Sequence, residues 1–246
     1  MWSSSPIIFA HRGASVHAPE NTLAAFQRAL DDGAPAIEFD VKLSADGQVV
    51  VIHDHTVDRT TDGQGKVREL TLAQLKALDA GSWFDRAFRR ERIPTLEEVF
   101  ATFGHRVLMN VELTNYASPF DPLVRKVTVL ITKHSLGEQI LFSSFFPHNL
   151  STARRMLPGI PRGLLAFPGW KGDWQRLIGP FMDLQAEHPF VGDVSARYVE
   201  AIHARQRRLF VYSVNDPAEM RRLLELGADG FFTDDPALAL RVLAQA

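Results

Sequence analysis

Cysteine is absent from the 246 residues, which excludes disulfides, thiolate nucleophiles and thiolate metal sites together. An excess of one charge is missing too. Lys and Arg number 27 against 29 Asp and Glu, a net of −2, so no global field draws the chain to nucleic acid or an acidic membrane. No apolar run approaches the roughly 18–20 residues that a membrane-spanning helix needs. The opening Met1-Trp2-Ser3-Ser4-Ser5 carries no basic residue, and His11-Arg12 interrupts the short apolar stretch behind it, a poor secretory signal. No glycine-rich nucleotide fingerprint follows any strand-like run, and no low-complexity or linker-like tract divides the chain. The expectation is a soluble, cytoplasmic protein forming one domain over residues 1–246, with a small-molecule partner, no nucleic acid and no stable membrane insertion.

What remains is ordinary globular material, 46% apolar, in a strongly periodic arrangement. A short apolar run, Pro6 to Ala10, ends abruptly in His11-Arg12-Gly13. Leu23, Phe26 and Leu30 then recur at spacings of three and four, which predicts an amphipathic helix over Asn21–Asp31, stopped by Gly33. A second strand is expected at Ala36–Leu43, a tight turn at Asp46-Gly47 and a β run from Gln48 to Ile52 that ends in His53-Asp54. The rhythm breaks over about residues 54–92. That stretch is polar and turn-rich, with one helical piece near Leu72–Leu78, and reads as an insertion lying over one end of the domain. At Thr95 a helix opens with Thr95 as N-cap and Glu98 completing a capping box.

Strand-like runs then recur at Val107–Glu112, Gln139–Phe142, Arg162–Ala166, Met182–Ala186, Leu209–Val214 and Gly230–Thr233. Helical segments alternate with them at Asp121–His134, His148–Met156, Gly172–Ile178, Ala196–Arg205, Pro217–Glu225 and Pro236–Ala244. With the first two strands this makes eight βα units, which at this length point to an α/β fold of the (β/α)8 TIM-barrel type.

In such a fold, polar groups at the C-terminal ends of strands build the site. Glu38 and Asp40 are two apart in one strand and so face the same side. At about 4 Å and an effective dielectric near 20, each such carboxylate contact costs about 4 kcal/mol. Glu112, at the end of a later strand, adds a third acid. Three acids at one mouth need protons, cationic side chains such as Arg12, Lys42 or Arg162, or a metal. A set of oxygen ligands with no cysteine suits a hard divalent ion, Mg²⁺, Ca²⁺ or Mn²⁺. His11 and His53 each end a β run, and two imidazoles across a scissile bond make a general acid and a general base. Arg12 offers a planar donor array for a phosphate or carboxylate. Glu20 and Asn21 either cap the first helix or reach the same mouth; spacing does not separate the two. His188 and His17 could edge the site, while His55, His105, His134, His148 and His203 read as loop or helix-surface residues.

Taken together, His11-Arg12-Gly13, Pro19-Glu20-Asn21-Thr22, Glu38-Phe39-Asp40-Val41, His53-Asp54, Arg59-Thr60-Thr61, Ile93-Pro94-Thr95-Leu96 and Gly230-Phe231-Phe232-Thr233-Asp234 resemble the glycerophosphodiester phosphodiesterase family over essentially the whole chain. The resemblance implies a TIM barrel in which Glu38, Asp40 and Glu112 ligate a divalent metal, Mg²⁺ or Ca²⁺. It also implies that His11 and His53 are the acid–base pair, that Arg12 holds the phosphate and that Glu20 belongs to the polar network. The products would be sn-glycerol 3-phosphate and an alcohol. Two positions depart from the family pattern. Thr114 stands where a lysine is usual, two residues after Glu112, and could offer the substrate only a neutral hydrogen bond. Tyr212-Ser213-Val214-Asn215 replaces a tryptophan-led motif, which leaves Tyr212 as the aromatic wall. Two alternatives stay open: a lysophospholipid-acting phosphodiesterase of the same barrel type, and a non-catalytic phosphate-binding barrel.

Overall fold

The computed structural model describes residues 6–172, 175, 179 and 182–245. Its sheet contains nine strands: β1 Ile7–His11, β2 Ala36–Leu43, β3 Val49–Val51, β4 Leu108–Leu113, β5 Ile140–Ser144, β6 Arg162–Leu165, β7 Ala186–His188, β8 Arg208–Val211 and β9 Gly230–Thr233. All but β3 run parallel, and pairing of β1 with both β9 and β2 closes them into an eight-stranded barrel. β3 lies outside the ring, antiparallel to the end of β2. Helices α1 Leu23–Asp31, α2 Leu72–Ala77, α3 Leu96–Phe103, α4 Leu123–Lys133, α5 Pro147–Met156, α6 Ala196–His203, α7 Pro217–Glu225 and α8 Pro236–Leu243 are described between the strands.

The two periods of the sequence become two apolar layers. Outward strand residues Ile37, Phe39, Met109, Val111 and Phe142 join Phe26, Phe100 and Phe103 of the helices in the largest core cluster. Phe26 packs on Phe39 and Phe103 at ring distances of 5.6 and 6.0 Å, and full burial of such a ring stabilises by about 1.5–3 kcal/mol. Inside the barrel, Phe9 stacks on Phe232 at 4.6 Å and meets Phe210 edge-on at 5.0 Å. These rings plug the barrel floor, so polar residues one pleat further along the same strands open toward the C-terminal mouth.

Local chemistry sets the boundaries. Thr22 caps α1, its Oγ1 accepting from Ala25 N at 3.2 Å. The capping box at Thr95 and Glu98 is present. The insertion carries short helical turns at 67–69 and 86–88 besides α2. It also builds a small core of Val57, Val67, Leu75, Ala80 and Ile93 against Val50 of β3; the polar reading of this stretch missed that core, because its apolar residues are widely spaced.

The seventh strand lies further along than Met182–Ala186. Ala186 and His188 point into the barrel, and Glu187 points outward to Arg207 at 2.7 Å, so the buried strand runs two residues past the expected end. The helix expected over Gly172–Ile178 falls mainly outside the described residues. Among those described, no helix is long and apolar enough to cross a membrane.

Candidate active site

The strand parity brings Glu38, Asp40 and Glu112 together at the mouth of the barrel. Asp40 and Glu112 are register partners on β2 and β4, and the three residues offer carboxylate oxygens within 4.8 Å of one another. Glu38 and Asp40 are 2% and 1% exposed. Glu38 Oε2 accepts from Arg12 N at 3.0 Å, while its Oε1 is buried without a partner. Asp40 accepts from Asn21 Nδ2 at 3.0 Å, and Glu112 accepts from the Tyr116 hydroxyl at 2.9 Å.

Burial, then the neighbouring negative charges, hold Glu38 well above the usual carboxylate range and push Glu112 up to about 8. Burial would raise Asp40 too, but the Arg12 guanidinium, the His53 and Lys42 side chains and the Asn21 hydrogen bond together outweigh it and hold Asp40 low. A converging, all-oxygen donor set with one orphaned carboxylate oxygen and two glutamates reluctant to ionise fits a hard divalent cation.

Each histidine is anchored at Nδ1 by a carboxylate. His11 Nδ1 lies 2.6 Å from Asp234 Oδ1, and His53 Nδ1 lies 2.6 Å from Asp54 Oδ1. Burial works against ionised Asp234, yet the hydrogen bonds from His11, Asn215 and Ser15 bring it down to about 2. Asp54 is held far below the carboxylate range chiefly by hydrogen bonds from Arg59. Ionised carboxylates only accept, so each Nδ1 carries the donated proton and each Nε2 is left to face the mouth. His11 Nε2 is 4.0 Å from Glu38 Oε2, and a positive His53 would help to hold Asp40 low.

The remaining residues form a connected frame. Arg12 Nη1 donates to Glu20 at 2.9 Å; Arg59 donates to Glu20 at 2.7 and 2.9 Å and to Asp54 at 2.7 Å. Glu20 and Asn21 thus reach the mouth, and the capping duty falls to Thr22. Arg12 and Asn21 both adopt positive φ, 56° and 57°. Local strain of this kind persists where the surroundings over-determine it. Gly13 has φ +86°, and a Cβ there would meet the Ala25 backbone at 2.6 Å, which is why the turn after His11-Arg12 takes glycine.

Not every expected residue turns to the mouth. Thr114 spends its hydroxyl proton on Val41 O at 2.8 Å and accepts from Lys42 Nζ at 2.8 Å, so it has no proton to give a substrate. His188 is the last residue of β7, not an edge residue beyond it. It is fully buried against Phe210 and Phe232, and burial pushes it down to about 3; it is neutral and walled off from the mouth. Tyr212 donates its hydroxyl to Ala166 O at 2.6 Å, packs perpendicular to Phe145 at 5.8 Å and stays partly exposed. Arg162 lies at the opposite end of the barrel on Ile160 O and Asp183 O, so it does not neutralise the acids. His17 faces Asp235 at 3.6 Å.

A cavity of about 410 Å³ opens beside the cluster, lined by Lys42, His53, Glu112, Thr114, Tyr116 and Phe145 among others. His55, taken as a loop residue, also lines it. Lys42 does act on Asp40 as one of the expected cations, whereas the roles of Asp54, Asp234, Arg59 and Tyr116 do not follow from sequence position alone. The signal for two of them was visible, since Asp54 directly follows His53 and Asp234 directly follows the last strand.

Residues 11–238 match the family model described as the glycerophosphoryl diester phosphodiesterase family. A glycerophosphodiester phosphodiesterase from Caldanaerobacter subterraneus is 38% identical over 238 residues, covering 96% of this chain and 97% of that one. One from Bacillus altitudinis is 34% identical over 96% of this chain and 97% of its own. Among solved structures, an Oleispira antarctica phosphodiesterase in complex with its product sn-glycerol-3-phosphate superposes with a TM-score of 0.86, at 33% identity, covering 98% and 97% of the two chains.

Proposed function

The chain belongs to the glycerophosphoryl diester phosphodiesterase family, and on that premise we propose that it hydrolyses glycerophosphodiesters to sn-glycerol 3-phosphate and an alcohol such as choline or ethanolamine. The observation that carries this reading is the pair of carboxylate-anchored histidines at the mouth that holds Glu38, Asp40 and Glu112. On this reading, residues 1–246 act as one cytoplasmic unit on a small soluble diester.

Glu38, Asp40 and Glu112 would hold a Mg²⁺ or Ca²⁺ ion, which when bound supplies positive charge at the non-bridging phosphate oxygens. The histidines manage the protons. One Nε2 takes the proton of the attacking hydroxyl as the new P–O bond forms; where that hydroxyl is the neighbouring one of glycerol and not water, a cyclic phosphate results, which water then opens to sn-glycerol 3-phosphate. The other Nε2–H passes its proton to the leaving alkoxide as the old P–O bond breaks. Asp234 and Asp54 fix the ring orientations and hold the Nδ1 protons, which leaves each Nε2 for the transfer. Arg12, steadied by Glu20, lends its guanidinium to the phosphate face.

A lysophospholipid substrate is favoured by one feature: Leu43, Val67, Ala117, Tyr116 and Phe145 are among the residues that line the cavity, apolar surface suited to an acyl chain. Parallel assays on glycerophosphocholine and lysophosphatidylcholine, with EDTA and then with added Mg²⁺ or Ca²⁺, test both readings. Turnover of glycerophosphocholine that EDTA abolishes and metal restores is the expected result. Full activity in EDTA contradicts the role given to the three acids. Turnover of the lysolipid alone moves the substrate class. No turnover of either would return the non-catalytic barrel, which rested only on Thr114.

A further inference from the structure

Two cations face the acidic cluster, and they are held in opposite ways. The Arg12 guanidinium is engaged by carboxylates: Nη1 donates to Glu20 at 2.9 Å, and Nε lies 3.5 Å from Asp40. Lys42 makes its described hydrogen bonds to neutral oxygens alone. Its Nζ donates to Thr114 O at 2.9 Å and to Thr114 Oγ1 at 2.8 Å, and no carboxylate pairs with it among the described residues. An ammonium has three N–H donors, so one remains. Lys42 is half-buried and lines the cavity together with His53, Asp54 and Glu112. A partly desolvated cation that feels Asp40, Glu112 and Asp54 only at a distance, with no described carboxylate in hydrogen-bond contact and one unused donor, is well placed for an anion to complete it.

The register explains how the sequence produces this. Asp40 pairs with Glu112 and Val41 with Leu113, so Lys42 and Thr114 are the next neighbours across β2 and β4, one inward step beyond the two acids. Because the Thr114 hydroxyl gives its own proton to Val41 O, toward Lys42 it can only accept. That fixes the direction of the ammonium, which a lysine on a flexible four-carbon stem does not fix alone.

We propose that Lys42 Nζ is a phosphate-binding group of this site, donating its remaining N–H to a non-bridging oxygen of the diester, with Thr114 as the residue that positions it. This rests on the phosphodiesterase reading and sharpens it, by naming the cation that the substrate's phosphate completes. A charge-assisted hydrogen bond of this kind changes affinity by roughly 10- to 100-fold.

The test compares K42M, T114V, T114K and the exchange K42T/T114K. The readouts are kcat and KM on glycerophosphocholine and, separately, calorimetric binding of sn-glycerol 3-phosphate to metal-loaded and EDTA-treated protein. K42M is expected to weaken product binding and lower kcat/KM by about 10- to 100-fold, and T114V to raise KM by a smaller factor. T114K is expected to lose activity, because it sets two ammoniums side by side and removes the acceptor. The exchange, which returns one ammonium to the same spot from the neighbouring strand, is expected to recover most of the K42M loss. Thermal unfolding of each variant checks folding; if K42M does not fold, T114V and the exchange carry the test.

Product binding by K42M equal to that of the unaltered chain overturns the assignment, as does an exchange variant no better than K42M. The two readings fail separately. Lys42-dependent binding of sn-glycerol 3-phosphate without turnover of any glycerophosphodiester would sink the activity and keep the phosphate site. Turnover that K42M leaves unchanged would sink the phosphate site and keep the activity.

Discussion

The two histidines differ more than their shared geometry suggests. His11 reaches Asp234 across 223 residues of sequence, and Asn215 and Ser15 hold that carboxylate as well, at 2.6 and 3.1 Å. His53 uses its immediate neighbour Asp54, which is in turn held by Arg59. The His11 side chain is 20% exposed and the His53 side chain 42%. The same imidazole–carboxylate unit is thus built once into the closing seam of the barrel, where β9 meets β1, and once on a loop leading into the insertion. The seam unit is fixed by the fold. The loop unit depends on Arg59 and is the more exposed of the two.

Substitutions separate the two units from each other and from the acids between them. The largest effect is expected for Glu112→Gln, which removes a charge from the metal-binding set; activity measured at saturating Mg²⁺ or Ca²⁺ should fall by about 10³-fold or more. Next comes the pair Asp234→Asn and Asp54→Asn, which leave the shape of the acceptor and remove its charge. The loss in kcat should be on the order of 10²–10³-fold for Asp234→Asn and smaller for Asp54→Asn, where water replaces part of the missing partner. Equal losses would erase the distinction between seam and loop. Arg59→Met frees both Asp54 and Glu20 and should cost about 10-fold, read mainly in kcat/KM.

The smallest effect is one of stability. Burial opposes ionisation of Asp234, but its hydrogen bonds prevail and set it near 2, below its ordinary 3.8. Its contribution is therefore present above pH 3.8 and lost as pH falls through about 2. Urea unfolding of Asp234→Asn against the unaltered chain should show a deficit of about 1–2 kcal/mol near neutral pH that shrinks toward pH 2. A deficit that persists at low pH would mean that lost packing, not charge, is responsible.

What the sequence made legible follows from where its signals are local. His11, Glu38, Asp40, His53 and Glu112 were readable because each is a titratable group near the end of an apolar run, and strand parity alone puts Glu38 and Asp40 on one face. The barrel was readable because eight runs alternate with helical spacing. The pairings that give these residues their behaviour were not local. Asp234 finds His11 only when β9 closes on β1, Arg59 bridges Glu20 and Asp54 only when the insertion folds back, and Lys42 meets Thr114 only through the β2–β4 register. His188 misled because the strand was expected to end at Ala186, which put the imidazole beyond it; the strand runs on to His188, and Gly163 leaves room for the ring, its missing Cβ falling 2.2 Å from the His188 Nε2.

The central claim is that two anchored imidazoles carry the proton transfers of phosphodiester hydrolysis. Its most direct measurement is the release of sn-glycerol 3-phosphate from glycerophosphocholine by the unaltered chain, His11→Ala and His53→Ala, with folding and metal content matched. Steady product from the unaltered chain and a loss of about 10²–10⁴-fold in each variant is the predicted result. Rates unchanged in either variant would contradict it.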